Sequence, residues 1–170
     1  MSTELVIHES GLTFILDQDR AYLPERESFY QSLSAQASIK ICDVICLNLI
    51  DELLVIEVKS SSPQEHRQFV QEIKQKFADT LLLYIGTVLK RKNTQSDTLP
   101  AALQESALQG NIRLVLIING HKRDWLPPLR DSLRKECRAL EKVFSLEETQ
   151  VYNPQLARQK LSLKIEEHRE

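Results

Sequence analysis

Three charged residues interrupt two of the most apolar stretches of this 170-residue sequence. A predicted strand from about Ile39 to Leu47 carries Asp43 among apolar residues, and a second, from Leu53 to Lys59, is apolar until Glu57. Runs of this kind are typical of strands that are covered on both faces of a sheet. A lone charge there costs on the order of several kcal/mol unless it meets a partner or a metal ion. Asp43, Glu57 and Lys59 are therefore the first candidates for chemistry.

The alternation of side chains along a strand decides whether these three residues can meet. Glu57 and Lys59 are separated by a single residue, so they point to the same face. Asp43 joins them if the two strands pair through a three- or five-residue loop near Leu49 to Asp51. A loop of two or four residues without a bulge would place Asp43 on the opposite face. The cluster thus requires an odd loop or a bulge.

Two carboxylates and a lysine on one sheet face suit a hard divalent cation, because the available ligands are oxygens. The same set suits phosphodiester hydrolysis. A Mg²⁺ or Mn²⁺ ion would polarise the phosphate and lower the pKa of the attacking water. The lysine would orient that water or offset the negative charge that develops on the phosphate.

Asp43, the tripeptide Glu57-Val58-Lys59 and the helix start that follows resemble the PD-(D/E)xK nuclease superfamily. The proline that gives the motif its name is absent, since Lys40 to Cys42 precede Asp43. The resemblance implies an α/β fold with a restriction-endonuclease-like core, a mixed central sheet flanked by helices and an extra C-terminal helical region. It also implies that Asp43, Glu57 and the main-chain carbonyl of Val58 hold Mg²⁺ (or Mn²⁺), with Lys59 as the catalytic lysine.

The predicted first helix, from Pro24 to about Ala35, raises a question about a further ligand. Many members of that superfamily place another glutamate on their first helix, which makes Glu25 and Glu27 candidates. The alternative, favoured for both, is that they stabilise the positive helix N-terminus and point to solvent. The family core also has a strand between this helix and the aspartate strand. Gln36 to Lys40 leaves no room for one, and the strand around Phe14 is a possible replacement.

The best local basic surface lies near a predicted helix that begins around Trp125. The four-residue spacing of its arginines places them on one helical stripe, and nearby basic residues precede them. A nucleic-acid contact is one interpretation; interspersed acidic residues favour a salt-bridged solvent face somewhat more. The basic candidates are Arg130, Arg134, Arg138, Lys122 and Arg123, with His121 beside them, and the acidic residues are Asp131, Glu136 and Glu141. A second basic loop, Lys90 to Lys92 with Asn93 to Asp97, is better explained by the helix dipole.

Composition limits the remaining possibilities. With 42% hydrophobic and 27% charged residues, residues 1–170 are predicted to form one globular domain. The net charge of −2 argues mildly against a tight non-specific nucleic-acid binder. Cys42, Cys46 and Cys137 are expected to be buried thiols in a reducing compartment. The start lacks the pattern of a signal peptide and no membrane-spanning run is present, so the protein is expected to be cytoplasmic.

Other segments complete the predicted framework. Leu5 to Ile7 and Leu12 to Leu16 form a hairpin, read as an edge addition to the sheet. Ser62 to Glu65 forms a capping box that starts a long helix ending near Leu89. The other elements are a helix from about Leu99 to Leu108, a strand from Ile112 to Ile118 parallel to the Glu57 strand, a short strand at Val151, a helix from Gln155 to about Ile165 and a frayed tail from Glu166 to Glu170.

The sequence therefore predicts a metal-dependent nuclease that acts on nucleic acid, DNA in the first instance. An alternative from another class is a catalytically inactive domain of the same fold that serves as a binding or assembly subunit. A third possibility is that the three charges form a buried structural network. A homodimer and a complex with a partner subunit both remain open.

Overall fold

The computed structural model describes residues 3–62, 66–91 and 99–167. Its centre is a mixed five-stranded sheet. β4 runs antiparallel to both of its neighbours, whereas the last three strands are parallel to one another. The predicted mixed α/β architecture is confirmed at this level, and so is the parallel pairing of the Glu57 strand with the strand at Ile112. The strands in spatial order are β3 (Ala21–Tyr22), β4 (Val44–Leu47), β5 (Leu53–Lys59), β6 (Ile112–Ile118) and β7 (Gln150–Tyr152).

Two long helices cover one face of this sheet. They are α2 (His66–Val88) and α4 (Leu126–Val143). The apolar face of α2 contributes Phe77 and Tyr84 to the core on this side of the sheet, and both are fully buried. Helix α4 contributes Leu129 and Leu133 to the same core. The apolar spacing of three and four along both helices predicts this burial. The proposed capping box at residues 62–65 lies mostly outside the described residues, and so does the basic loop at 90–97, of which only residues 90 and 91 are described.

The other face is covered by a second sheet, which the sequence analysis did not predict. This three-stranded sheet consists of β1 (Glu4–Glu9), β2 (Leu12–Asp17) and β8 (Lys164–Glu167), with β2 in the middle. The N-terminal hairpin is confirmed, but its interpretation as an edge addition to the main sheet is wrong. Phe14 is buried between the sheets in the second core cluster, so the Phe14 strand does not replace the strand that the resemblance implies before Asp43.

The C-terminal prediction also needs correction. Helix α5 (Pro154–Leu161) begins as expected, with the Asn153 side chain accepting from the Leu156 amide. It ends four residues earlier than Ile165, because Ser162 adopts the left-handed conformation, with φ 52°. Ile165 and Glu166 then pair with Phe14 and Thr13 in β8, so Glu166 is in a strand and not in a frayed tail.

Two further helices differ from their predicted extents. Pro24 begins a short 3-10 turn (Pro24–Arg26), and α1 (Ser28–Ala37) starts only after it. The strand next to β4 is β3, which precedes α1 in the chain. The helix predicted from Leu99 is broken into a 3-10 turn (Ala101–Leu103) and α3 (Glu105–Leu108), because Gln104 between them is extended. Amphipathic spacing alone does not detect such breaks.

A tight turn of two residues joins β1 to β2. Ser10 and Gly11 both have positive φ, 50° and 78°, and this is the pattern of a type I′ turn. The turn packs against the end of the main sheet, where the Asn119 side-chain amide donates to the Ser10 carbonyl at 3.0 Å. The turn is thereby held beside the ends of β5 and β6.

We expect Gly11→Ala to lower the free energy of unfolding by about 1–2 kcal/mol. A Cβ at this φ is strained, and it would also lie 2.8 Å from Asn119 Nδ2 and disturb the bond to Ser10. Urea unfolding measures the change. Gly110→Ala is the control, because its Cβ would meet only ordinary contacts, the nearest at 3.6 Å. Equal effects of the two substitutions would contradict the prediction.

No helix in the described ranges combines the length and the apolar character needed to cross a lipid bilayer.

Candidate functional site

The hairpin that carries Asp43 and Glu57 has the odd loop that the sequence analysis required. Leu47 pairs with Leu53, and the Asn48 amide donates to the Glu52 carbonyl at 3.1 Å. Residues 49–51 remain as a loop of three. The Asn48 side chain accepts from the Glu52 amide at 3.0 Å, and Arg20 binds the Asn48 carbonyl at 2.6 Å. These bonds fix the register of the hairpin, and the loop-parity prediction is confirmed.

Asp43 lies immediately before β4, which begins about five residues later than the predicted strand. The Asp43 amide donates to the Ile56 carbonyl at 3.1 Å. The Asp43 carboxylate takes the place of a strand partner for Val58, whose amide donates to Asp43 Oδ2 at 2.7 Å. The Val58 carbonyl accepts from Ser10 Oγ at 3.4 Å. Asp43 and the Val58 main chain therefore form one polar surface at the end of the hairpin.

Helix α2 holds the segment that leads into Asp43. Thr80 Oγ1 accepts from the Cys42 amide at 2.8 Å, and Asp79 Oδ2 accepts from the Lys40 amide at 3.0 Å. Since residues 39–42 are not in a strand, these side chains replace the missing strand pairing. The position of Asp43 therefore depends on the packing of α2.

Glu57 is the most deeply buried charge of the candidate site. Its side chain is 1% exposed and lies on the same face of β5 as the apolar residues that meet α2. Glu57 Oε1 is 2.6 Å from Lys76 Nζ and 3.0 Å from Lys59 Nζ. Within the described parts of the chain, Glu57 Oε2 has no hydrogen-bond partner. Two lysines thus compensate the charge at Glu57 Oε1, whereas Oε2 remains available to bind a ligand.

Lys76 on α2 was not identified by the sequence analysis. Its side chain is 16% exposed, compared with 29% for Lys59, so Lys76 is the more buried partner of Glu57. The sequence did indicate that Lys76 is on the buried side of α2, because the spacing of three and four residues places it on the same helical face as Phe69, Ile73 and Thr80. All three of these residues are buried. A lysine inside a buried helical stripe requires a counter-charge.

The electrostatics of the site reflect two carboxylates close together. Burial, and then the negative charge of Glu57, raise the pKa of Asp43 to about 7. The bond from the Val58 amide opposes this shift without cancelling it. Burial alone lowers the pKa of Lys76, but the charge and hydrogen bond of Glu57 outweigh burial, so the pKa of Lys76 is raised. Lys76 therefore carries its charge at neutral pH.

A small cavity of about 130 Å³ lies against Asp43 and brings in two further glutamates. Glu9, at the end of β1, and Glu25, in the 3-10 turn, line it together with Asp43. Glu9 is a residue that the sequence analysis missed, because only the docking of the β1–β2 turn brings it here. Glu27 lies elsewhere: burial and then the Glu27 charge raise the pKa of Tyr22. Of the two candidate glutamates, only Glu25 lies beside Asp43, and it is exposed.

The candidate site contains oxygen atoms of the type that hard divalent cations prefer. They are the Asp43 carboxylate, the Val58 carbonyl and the unpartnered Glu57 Oε2. Across the described residues, no three His, Cys, Asp or Glu side chains are grouped so as to hold a metal ion. The set that the sequence analysis predicted therefore consists of two carboxylates and a main-chain oxygen, and Glu9 and Glu25, although they line the cavity at Asp43, do not complete such a group within the described ranges.

The predicted basic surface on α4 is largely engaged in ion pairs. Arg130 pairs with Asp131 at 3.1 Å, and Arg134 pairs with Glu148. Arg138 is exposed. These pairs agree with the salt-bridged face that the sequence analysis favoured for the arginine stripe.

Lys122 and Arg123 differ from the arginines of α4. Both are exposed and lie before the helix, where Lys122 Nζ is 5.2 Å from the centre of the Trp125 ring. These two cations are therefore separate from the arginine stripe of α4 and lie near Trp125.

Comparisons of the chain with protein-family models, with curated proteins and with solved structures found no match.

Proposed function

We propose that this protein is a metal-dependent nuclease that hydrolyses phosphodiester bonds of nucleic acid, DNA in the first instance. The observation that carries the proposal is the hairpin end at which Asp43, Val58 and Glu57 present oxygen atoms beside two lysines. Buried opposite charges with an unpartnered carboxylate oxygen are costly unless a ligand uses them. The resemblance to the PD-(D/E)xK superfamily gives the same three residues the same roles.

The proposed roles follow from burial and contacts. Asp43, Glu57 and the Val58 carbonyl would hold Mg²⁺ or Mn²⁺, which when bound would polarise the phosphate and supply an activated water. Lys59 is the more exposed lysine, so it is the one that can orient the water or offset charge on the phosphate. Lys76 is a positioning residue that fixes the Glu57 carboxylate. Glu25 and Glu9 lie close enough to Asp43 to influence the affinity for the metal.

A second candidate function is a catalytically inactive binding or assembly subunit of the same fold. One observation favours it: Glu57 is 1% exposed and its Oε1 is shared by two lysines. Such a pairing can hold a domain together without any reaction. The two candidates differ in whether the site binds a divalent cation and cuts nucleic acid.

Cleavage of a panel of single- and double-stranded DNA and RNA in Mg²⁺ or Mn²⁺ tests the proposal. We expect the native protein to cut at least one substrate, EDTA to abolish cutting, and Lys59→Ala to reduce the rate about 100-fold or more. Thermal unfolding checks that Lys59→Ala is folded. Lys135→Ala, an exposed lysine on α4, is the matched control and should retain full activity.

Two outcomes would contradict the nuclease proposal. Equal cutting by the native protein and Lys59→Ala would indicate a contaminant or another site. Absence of cutting, together with no Mn²⁺ binding in a calorimetric titration, would favour the inactive subunit.

A further inference from the structure

A second and larger cavity lies at the carboxyl ends of β5 and β6. Its volume is about 430 Å³, and it is lined by residues 60–62 after β5, by His66 at the start of α2, and by His121 and Trp125 after β6. This volume falls within the range of about 300–1,000 Å³ that is typical of small-ligand sites. In open α/β sheets, ligands commonly bind in the crevice outside the carboxyl ends of parallel strands. The position and size of the cavity therefore suit a ligand.

The aromatic content of this cavity indicates what kind of ligand it suits. Trp125 is 54% exposed, although tryptophan normally buries most of its large apolar surface. The His121 ring meets Trp125 edge-on, with 5.4 Å between ring centres. Burial, and then the nearby His66, lower the pKa of His121, so the imidazole is neutral at pH 7. The exposed indole beside a neutral ring is a surface on which a flat aromatic group can stack.

The charges beside the cavity favour an anion attached to that aromatic group. Lys122 Nζ lies 5.2 Å from the Trp125 ring centre, and Arg123 is exposed next to it. Asp124 lines the cavity itself, whereas Lys122 and Arg123 flank it, and among these three neighbours the cations exceed the carboxylates by one. Flat bases joined to phosphates are the ligands that combine both properties, and proteins bind them through aromatic stacking and flanking Lys or Arg.

The cavity lies next to the end of β5 that carries Lys59. Ser60 follows Lys59 directly, and the Asn119 amide donates to the Lys59 carbonyl at 2.8 Å. A nucleic-acid strand bound at Lys59 would therefore have this cavity beside it, at residues 60–62 after β5.

We propose that this cavity is a nucleotide subsite in which an unpaired base stacks on Trp125 while Lys122 and Arg123 contact the adjoining phosphate. The proposal rests on the proposed function in taking nucleic acid as the ligand. The same chemistry is found in a free mononucleotide and in a single strand, and the subsite is assigned to a strand because its lining begins at Ser60, directly after Lys59.

Tryptophan fluorescence of the whole protein in EDTA tests this subsite, because Trp125 is the single tryptophan of the chain. We expect saturable quenching by an oligothymidylate, weak quenching by thymidine monophosphate, and no quenching by an abasic oligonucleotide of the same length and charge. In anisotropy measurements with a labelled oligothymidylate, Trp125→Ala should weaken binding about 10-fold or more, and Trp125→Phe should retain most of the affinity. Lys122→Ala should weaken binding and reduce its salt dependence by about one counterion.

The controls are Val143→Ala and Lys142→Ala, an exposed apolar residue and an exposed lysine at the far end of α4. Neither should change binding. Equal quenching by the abasic oligonucleotide, or unchanged affinity of a folded Trp125→Ala, would overturn the subsite. Quenching by the mononucleotide as strong as by the strand would reassign it to free nucleotides. Because binding is measured without metal, a failure of cleavage with intact quenching would refute the nuclease proposal alone.

Discussion

Lys76→Ala is expected to lower the free energy of unfolding by about 3 kcal/mol. The substitution removes the closest counter-charge of Glu57, 2.6 Å away, and leaves a carboxylate that is 1% exposed with Lys59 as its remaining ion-pair partner. Removing one partner of a buried pair costs more than the pair contributes, because the remaining charge stays desolvated. Urea unfolding at pH 7, with the same slope for both proteins, gives the change.

Three variants separate this effect from a general loss of helix packing. Lys59→Ala should cost less, about 1 kcal/mol, because Lys59 is more exposed and Lys76 remains. Lys135→Ala, on the exposed side of α4, should change stability by less than about 0.5 kcal/mol. Adding Glu57→Gln to Lys76→Ala should recover part of the loss. A Lys76→Ala protein as stable as Lys135→Ala would show that Glu57 does not depend on Lys76.

Asp43→Asn is expected to stabilise the metal-free protein at pH 8, by at most about 4 kcal/mol. The pKa of Asp43 is about 7 in the folded state, against 3.8 for the ordinary side chain. Between these values the folded protein holds a proton that the unfolded chain has lost. The free energy of unfolding therefore falls as the pH rises from about 4 to about 7, and then stays level. Partial exposure of Asp43 reduces the change below its upper limit.

The measurement is the difference in unfolding free energy between Asp43→Asn and the native protein in EDTA, at several pH values. The difference should be small near pH 4 and largest above pH 7. An asparagine can still accept from the Val58 amide, so the main-chain bond is preserved. Asp131→Asn, at an exposed ion pair on α4, is the control and should show no such rise. A flat difference across this range would mean that Asp43 titrates at its ordinary pKa.

Both predictions concern the same physical arrangement. Burial, and then the negative charge of Glu57, raise the pKa of Asp43, and the charge of Lys76 offsets this effect only in part. Under the nuclease proposal, Asp43 and Glu57 would hold a divalent cation, whose positive charge would favour the ionised form of Asp43. Under the nuclease proposal, Mg²⁺ or Mn²⁺ should therefore raise the stability of the native protein more than that of Asp43→Asn.

The sequence by itself determined the local parts of this protein. The two-residue period of β5 places Glu57 and Lys59 on one face, and the apolar run from Ile112 gives a covered strand. The stripe of α2 follows from its spacing of three and four. The requirement for an odd loop between β4 and β5 was also a consequence of strand geometry. In each case the pattern lies within a short segment, where the periodicity of the backbone leaves few alternatives for the face to which each side chain points.

Only the tertiary structure decided which distant residues share the site. Lys76 reaches Glu57 because α2 packs on that face of the sheet, and Glu9 approaches Asp43 because the β1–β2 turn docks on Asn119. The same long-range packing pairs Ile165 with Phe14 in the second sheet, where the local pattern had predicted the end of a helix. Local periodicity specifies which face of an element is apolar, but not which other element covers it. That choice depends on the burial of the whole chain at once, and it placed the second lysine beside the buried carboxylate.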